Sequence, residues 1–213
     1  MTHPKVAHHP DSIYAQIFES RLTKGDLKKL EILEAAIKVV GADKEDWTLD
    51  SVAEELGTRR SHIVYYFKTR SDLMEAVIQL VVGTGQRVVV EMIETAKNPK
   101  EGIWRHIQGT FDWYRRYPSH APVMLYFYYL ASQNERYRRL NEQIRKSGRE
   151  RIAGLLGVQP ELARKTALEL SELAELYQDN LTGAMVSLAT SSGGLTKRLN
   201  RTTQQLVDLL GLH

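Results

Sequence analysis

Along most of the chain, hydrophobic residues recur at helical spacing between short polar breaks, and strand-like alternation is hard to find. Leu27, Leu30, Leu33, Ala36, Ile37 and Val40 share one face and predict an amphipathic helix that stops at Gly41. Upstream, Ile13, Tyr14, Ile17, Phe18 and Leu22 predict a short extra helix, behind a Pro- and His-rich start over 1–10 expected to be disordered. An acidic, solvated loop leads to Thr48, an N-cap for a short helix over 49–56 with Val52, Ala53 and Leu56 inward. Asp50 lies in its first turn, where the helix dipole favours an acid. Gly57 occupies the position after that helix that favours a left-handed backbone.

A second short helix is expected over 59–66, followed by a long one capped by Ser71 and running towards Ile93. Five more are predicted over 101–117, 121–132, 135–156, 161–190 and 195–210. Pro118, Pro122, Pro160 and the Ser191-Ser192-Gly193-Gly194 run separate them, and no internal repeat is visible. The fold class is therefore all-α. The organisation expected is an N-terminal arm over 1–23, a three-helix unit over 24–77 and a larger helical domain over 78–213.

Composition narrows the chemistry. The 213 residues can bury a substantial core without covalent staples. The absence of cysteine removes disulfides, thiolate metal sites and cysteine nucleophiles, and it fits a reducing compartment. The net charge of +3 is modest, so affinity for a polyanion has to come from local clustering. MTHPKVAHHPDS lacks the apolar core of a secretory signal, and runs such as the one around 124–131 fall short of the ~20 apolar residues of a membrane span. A cytoplasmic protein without membrane contact is expected.

Two short helices around a glycine turn, with a third packed across them, are the ingredients of a helix-turn-helix, whose second helix enters the DNA major groove. Between Gly57 and Arg70 there are four basic residues and no acid, although the stretch 27–77 is slightly acidic overall. That focusing is the electrostatic footprint of a nucleic-acid reader. Arg59, Arg60 and His62 are expected to project outward, and Ile63 and Phe67, four apart, to anchor the inner face. Tyr65, Tyr66, Lys68 and Arg70 suit phosphate contacts, which set register rather than sequence. Thr48, Thr58 and Ser61 complete the expected DNA-facing set. Spacing and charge by themselves leave a second reading open, in which the helix is a solvated face and the tyrosines are packing.

From about Leu27 to Val77 the chain resembles the DNA-binding domain of the TetR family of transcriptional regulators. The pieces that carry the resemblance are LEILEAAIKVVG, TLDSVAEELG and IVYYFKTRSDL, in that order. The rest is similar in helical plan only, including QDNLTGAMVSL, which looks like part of a dimer-forming helix. Two positions depart from the family pattern. Arg59 stands where a capping Ser is usual, so Thr58 is expected to cap the second short helix instead. Val64 stands where a phosphate-binding Tyr is common, leaving Tyr65 and Tyr66 as the aromatic contacts.

The resemblance implies a regulator, expected to be a repressor, that binds a palindromic double-stranded DNA operator as a homodimer. It further implies an effector-binding and dimerisation domain from about residue 78. The dense aromatics there suggest a small hydrophobic or aromatic effector. The expected lining is Trp104, Phe111, Trp113, Tyr114, Tyr117, Met124, Phe127, Tyr128, Tyr177 and Asn180, with His106 as a further polar group. Packing of the same rings into the core is the alternative. Ala167, Leu170, Ala174, Leu181, Ala184 and Leu188, with Leu206, Val207 and Leu210, form stripes suited to a two-fold four-helix seam through 161–190 and 195–210, or to packing within one subunit.

The basic run over 136–151 is interrupted by Glu142 and Glu150, and pairs such as Glu142 with Lys146 mark a solvated helix, with no function assigned. No catalytic motif occurs, the seven histidines are scattered, and His8-His9 make a weak metal site, so no enzyme, cofactor or metal is expected. The competing functional reading is a helical interaction protein with a TetR-like fold, governed by protein contacts or lacking a small-molecule effector.

Overall fold

A computed structural model of the chain describes residues 23–42, 46–192 and 194–212. The predicted helix over 13–22, the His8-His9 pair and residues 43–45 of the acidic loop lie outside the described residues. Among those described there are nine α-helices, one 3₁₀ turn and no strand. In chain order they are α1 (Lys24–Ala42), α2 (Leu49–Glu55), α3 (Arg60–Tyr66), α4 (Arg70–Ile93), α5 (Pro99–Arg116), α6 (His120–Gln133), α7 (Glu135–Gly157), α8 (Ala167–Thr190) and α9 (Leu195–Leu210).

The chain divides into two compact units. The first runs as far as Gly83 and includes Pro122–Met124, and the second comprises Thr84–Ala121 and everything from Leu125 on. In the first, α2 packs on both α1 and α3. Of the predicted α1 face, Leu33, Ala36, Ile37 and Val40 are buried, Leu30 is half-buried and Leu27 exposed, while Ile32 is buried beside them. Val52 and Ala53 of α2, and Ile63 and Phe67, are buried as their spacing predicts; Leu49 is buried too, and Leu56 is half-buried. In the second, α5, α7, α8 and α9 pack around a core that includes Ile103, Ile107, Phe111, Ile152, Leu156, Tyr177, Leu181 and Leu206. Gly109 allows α5 to approach α4 closely, because a Cβ there would lie 2.8 Å from the Val89 backbone.

Helix starts are where sequence and structure differ. Arg59, not Thr58, is the N-cap of α3, and it makes no side-chain cap bond. The Thr58 N–H is already committed to the Ala53 carbonyl at 2.8 Å, and the Gly57 N–H to Glu54 at 3.0 Å. These two bonds form a Schellman closure of α2, with Gly57 at φ 65°, and they place Thr58 in the turn rather than at a helix start.

Similarly, α4 begins two residues earlier than a Ser71 cap requires. The Thr69 hydroxyl accepts the Asp72 N–H at 3.1 Å, and the Asp72 carboxylate accepts the Thr69 N–H at 3.1 Å. This reciprocal pair satisfies two otherwise orphaned donors. The helix predicted over 161–190 is divided: Pro160–Leu162 form a 3₁₀ turn, and α8 starts only after Thr166, which makes a capping box with Glu169.

Among the described residues one helix, Arg70–Ile93, is long and apolar enough to cross a membrane, a length no run in the sequence was expected to reach. Half of its most apolar window is buried inside the protein, which is also how the core helix of a folded domain behaves. The small residues Gly83, Thr84 and Gly85 interrupt its apolar run.

Candidate nucleic-acid interface

The outer surface of α3 is built from residues that folding leaves unused. Ile63 and Phe67 take the buried side, so Arg59, Arg60, Ser61 and Tyr65 are exposed, and Tyr65 is 72% accessible. Gly57, Thr58, Arg59, Ser61, His62 and Tyr65 line one open depression. His62 is half-buried rather than fully outward, because its ring meets the Tyr66 ring edge-on at 5.4 Å. Tyr65 in turn meets Tyr66 edge-on at 4.9 Å, so the three rings hold one another in place.

Thr48 caps α2 as expected. Its hydroxyl accepts the Ser51 N–H at 3.1 Å while the Ser51 hydroxyl accepts the Thr48 N–H at 2.8 Å. Arg60 and Arg70 have partners that spacing did not reveal. Arg60 Nη1 donates to Asp50 Oδ2 at 3.0 Å, bridging the first turns of α3 and α2. The Arg70 guanidinium lies over the Trp47 ring, 4.6 Å from its centroid, an arrangement worth ~0.5–1 kcal/mol at an exposed site. Trp47 itself is buried to 1% exposure. A single Trp in an acidic loop was the signal available in sequence for this contact. Lys68 is exposed, and its ammonium reaches only the Tyr65 carbonyl, at 3.5 Å.

The residues expected to line an effector site fall in several places. Phe111 and Tyr177 are fully buried in the core of the second unit, and Tyr114 packs against it. Tyr177 Oη and His106 Nδ1 share a hydrogen bond of 2.9 Å, linking α8 to α5. Burial, reinforced by the nearby Arg151 charge, pulls His106 down to about 4, and burial pushes the Tyr177 hydroxyl up. One turn along α8, the side-chain oxygen of Asn180 is buried without a hydrogen-bond partner.

Trp113 and Tyr117 gather on His120, which sequence reasoning did not single out. The indole N–H donates to His120 Nδ1 at 3.0 Å, and the Tyr117 ring stacks on the imidazole at 4.9 Å. Phe127 is fully buried and Tyr128 half-buried, its hydroxyl pushed up by burial against the opposing pull of Arg145. Met124 is half-buried and belongs to the first unit. Trp104 is 47% exposed and lines a surface groove of about 460 Å³ between α5 and α9, with Lys100, Thr203 and Val207.

The hydrophobic stripes of α8 and α9 also resolve. Ala174, Leu181, Leu188, Leu206 and Leu210 are buried in the chain's own core, while Leu170, Ala184 and Val207 are half-buried against it and Ala167 is exposed. On the basic helix α7, Lys146 pairs with Glu150 at 4.0 Å, and Arg138 and Arg139 pair with Glu135. No group of three or more potential metal ligands occurs among the described residues.

No family model matches the chain, and no curated protein sequence does. Solved structures do match over nearly its full length. A candidate transcriptional regulator from Pseudomonas aeruginosa PAO1 superposes with a TM-score of 0.76 at 15% identity, covering 92% of this chain and 96% of its own. A TetR transcription regulator from Haloarcula marismortui gives 0.74 at 14% identity, covering 87% and 97%. A candidate transcriptional regulator from Saccharomonospora viridis, in complex with choline, gives 0.71 at 19% identity, covering 86% and 95%. At these identities the likeness is one of fold: the chain has the all-helical fold of TetR-like transcriptional regulators.

Proposed function

We propose that the protein is a DNA-binding transcriptional regulator, a repressor that grips a palindromic operator as a homodimer and releases it when a small molecule occupies the second unit. The observation that carries this reading is α3. Its apolar side is buried, its free side presents Arg59, Arg60, Ser61 and Tyr65, and Lys68 follows within a turn. A short helix exposing cations and an aromatic ring, on a helix-turn-helix frame closed by Gly57, is what base edges and phosphates require.

Three features support the finer parts. Leu168 and Leu176 of α8 and Leu209 of α9 are exposed large hydrophobics, suited to a seam between two copies. The orphaned Asn180 oxygen, beside the Tyr177–His106 pair, suits a hydrogen-bond donor on an otherwise apolar or aromatic effector. The choline-bound neighbour shows that this fold accommodates a small molecule in another protein. Release then follows from linkage: a ligand that prefers the subunit spacing unsuited to the operator weakens DNA binding by the same factor that DNA weakens its own. Such a regulator works in the cytoplasm, needs no cofactor and catalyses nothing.

The test is selection from a library of random DNA duplexes with the purified full chain, followed by sedimentation with the selected duplex. A two-fold symmetric motif bound by a dimer is expected, with Arg59→Ala abolishing enrichment. A chain that enriches no sequence and binds no duplex at low salt would instead be an interaction protein on the same frame.

A further inference from the structure

The contact between Asp50 and Arg60 is placed oddly for a DNA-reading surface. Both side chains are 61% exposed, and they meet at 3.0 Å beside the depression lined by Thr58, Arg59 and Ser61. A carboxylate there repels every phosphate that approaches, so it weakens binding to DNA in general. It is not needed to hold the fold, since an ion pair this exposed contributes little. As an acid in the first turn of α2 it gains modestly from the helix dipole, and that gain calls for no arginine partner. Thr48 and Ser51 already cap that helix start.

The geometry suits base recognition instead. Arg60 uses Nη1 on Asp50 Oδ2, which leaves its remaining guanidinium donors free, and Asp50 retains Oδ1 as an acceptor. The couple therefore offers donors and an acceptor side by side. A G·C pair presents the complement in the major groove: guanine O6 and N7 accept, and the cytosine N4 amino group donates. A phosphate, which only accepts, satisfies Arg60 but leaves Asp50 facing like charge.

Resting on the DNA-binding reading above, we propose that Asp50 is a specificity-determining residue: with Arg60 it reads one G·C pair per half-site and discriminates against all other DNA. Asp50 takes the cytosine amino group, Arg60 takes the guanine, and their mutual contact fixes the register between them.

The experiment is parallel duplex selection with the wild-type full chain, Asp50→Ala and Arg60→Ala, plus affinities for one random-sequence duplex at fixed salt. Wild type is expected to enrich a motif with an invariant G·C pair in each half-site. Asp50→Ala should relax the G·C preference at that same position and bind the random duplex several-fold more tightly, so that the ratio of specific to non-specific affinity falls. Arg60→Ala should lose the preference at the same pair. An Asp50→Ala motif as restrictive at every position as wild type overturns the proposal, whatever happens to non-specific affinity. Tighter binding to selected and random duplexes by the same factor also overturns it, since that is charge without readout. Failure of the wild type to bind either duplex is separate, and strikes the DNA-binding reading itself. Helical content of each variant, measured by circular dichroism, guards against misfolding, and Asp50→Glu, which keeps the acceptor, should retain part of the G·C preference.

Discussion

The indole N–H of Trp113 donates to Nδ1 of His120 at 3.0 Å, and this fixes the protonation state of a buried histidine. An indole can only donate, so Nδ1 has to be the unprotonated nitrogen. Burial holds His120 down to about 4, and His106, buried against Tyr177, is pulled to about the same value with Arg151 adding to the effect.

The sign of the pH dependence follows. Between about pH 6.5 and 4 the unfolded chain binds protons at both histidines that the folded chain refuses, so stability falls as the pH falls. Above the ordinary histidine value neither site contributes a slope. The drop is on the order of 3 kcal/mol per histidine at most. Urea unfolding from pH 7.5 to 4.5 should show it, and His120→Gln, whose amide oxygen still accepts from Trp113, should remove part of the slope. A His120→Gln profile parallel to wild type would show that His120 is not one of the titrating groups.

Gly109→Ala tests the close approach of α5 to α4. The added methyl would sit 2.8 Å from the Val89 Cα, and a backbone atom cannot swing aside. Alanine is worth up to about 1 kcal/mol over glycine in a free helix, but overpacking costs about 1–3 kcal/mol, so a net loss of stability is expected. Gly85→Ala should behave similarly, because its methyl would lie 2.9 Å from the Trp113 ring. Its tryptophan fluorescence should shift as well. A more stable Gly109→Ala protein would mean that the two helices separate at no cost.

These features show what sequence could and could not reveal. Helix identity was legible because periodic burial needs only local spacing, and Ile63 and Phe67 are buried as their four-residue interval predicts. The Gly57 turn was legible because a glycine after a helix favours the left-handed backbone that closes it. Caps were less so, since Ser71 and Thr69 are both competent and only the reciprocal bond with Asp72 decides between them. The Thr166–Glu169 box was also present in sequence as Thr-x-x-Glu, yet the helix was expected from 161, five residues before that cap. Pairings across elements, such as Asp50 with Arg60 or Arg70 over Trp47, depend on how helices pack and leave no periodic trace. The aromatic residues of the second unit looked alike in sequence, yet Phe111 is core and Trp104 is surface.

Lys68→Ala separates phosphate contacts from base contacts. The Lys68 ammonium is exposed and meets only a main-chain carbonyl at 3.5 Å, so the fold should be indifferent to its loss. Affinity should fall on every duplex alike, and the slope of log affinity against log salt should flatten by about one unit. A loss confined to one sequence would assign Lys68 to a base edge instead.

Leu176→Glu tests the dimer. Ala174, Leu181 and Leu188 turn inward on α8, leaving Leu168 69% and Leu176 53% exposed on the same helix. Exposed leucines in a stable monomer could be exchanged for glutamate with little effect on folding. In a two-fold seam, the substitution instead places two acids near the symmetry axis, where burying unpaired charge costs several kcal/mol. Sedimentation should therefore find wild type as a dimer at micromolar concentration and Leu176→Glu as a folded monomer. Operator affinity should collapse with it, because a single α3 reads only half a site. A Leu176→Glu protein that remains dimeric would move the seam off this face of α8, and a monomeric wild type would remove the two-fold arrangement altogether.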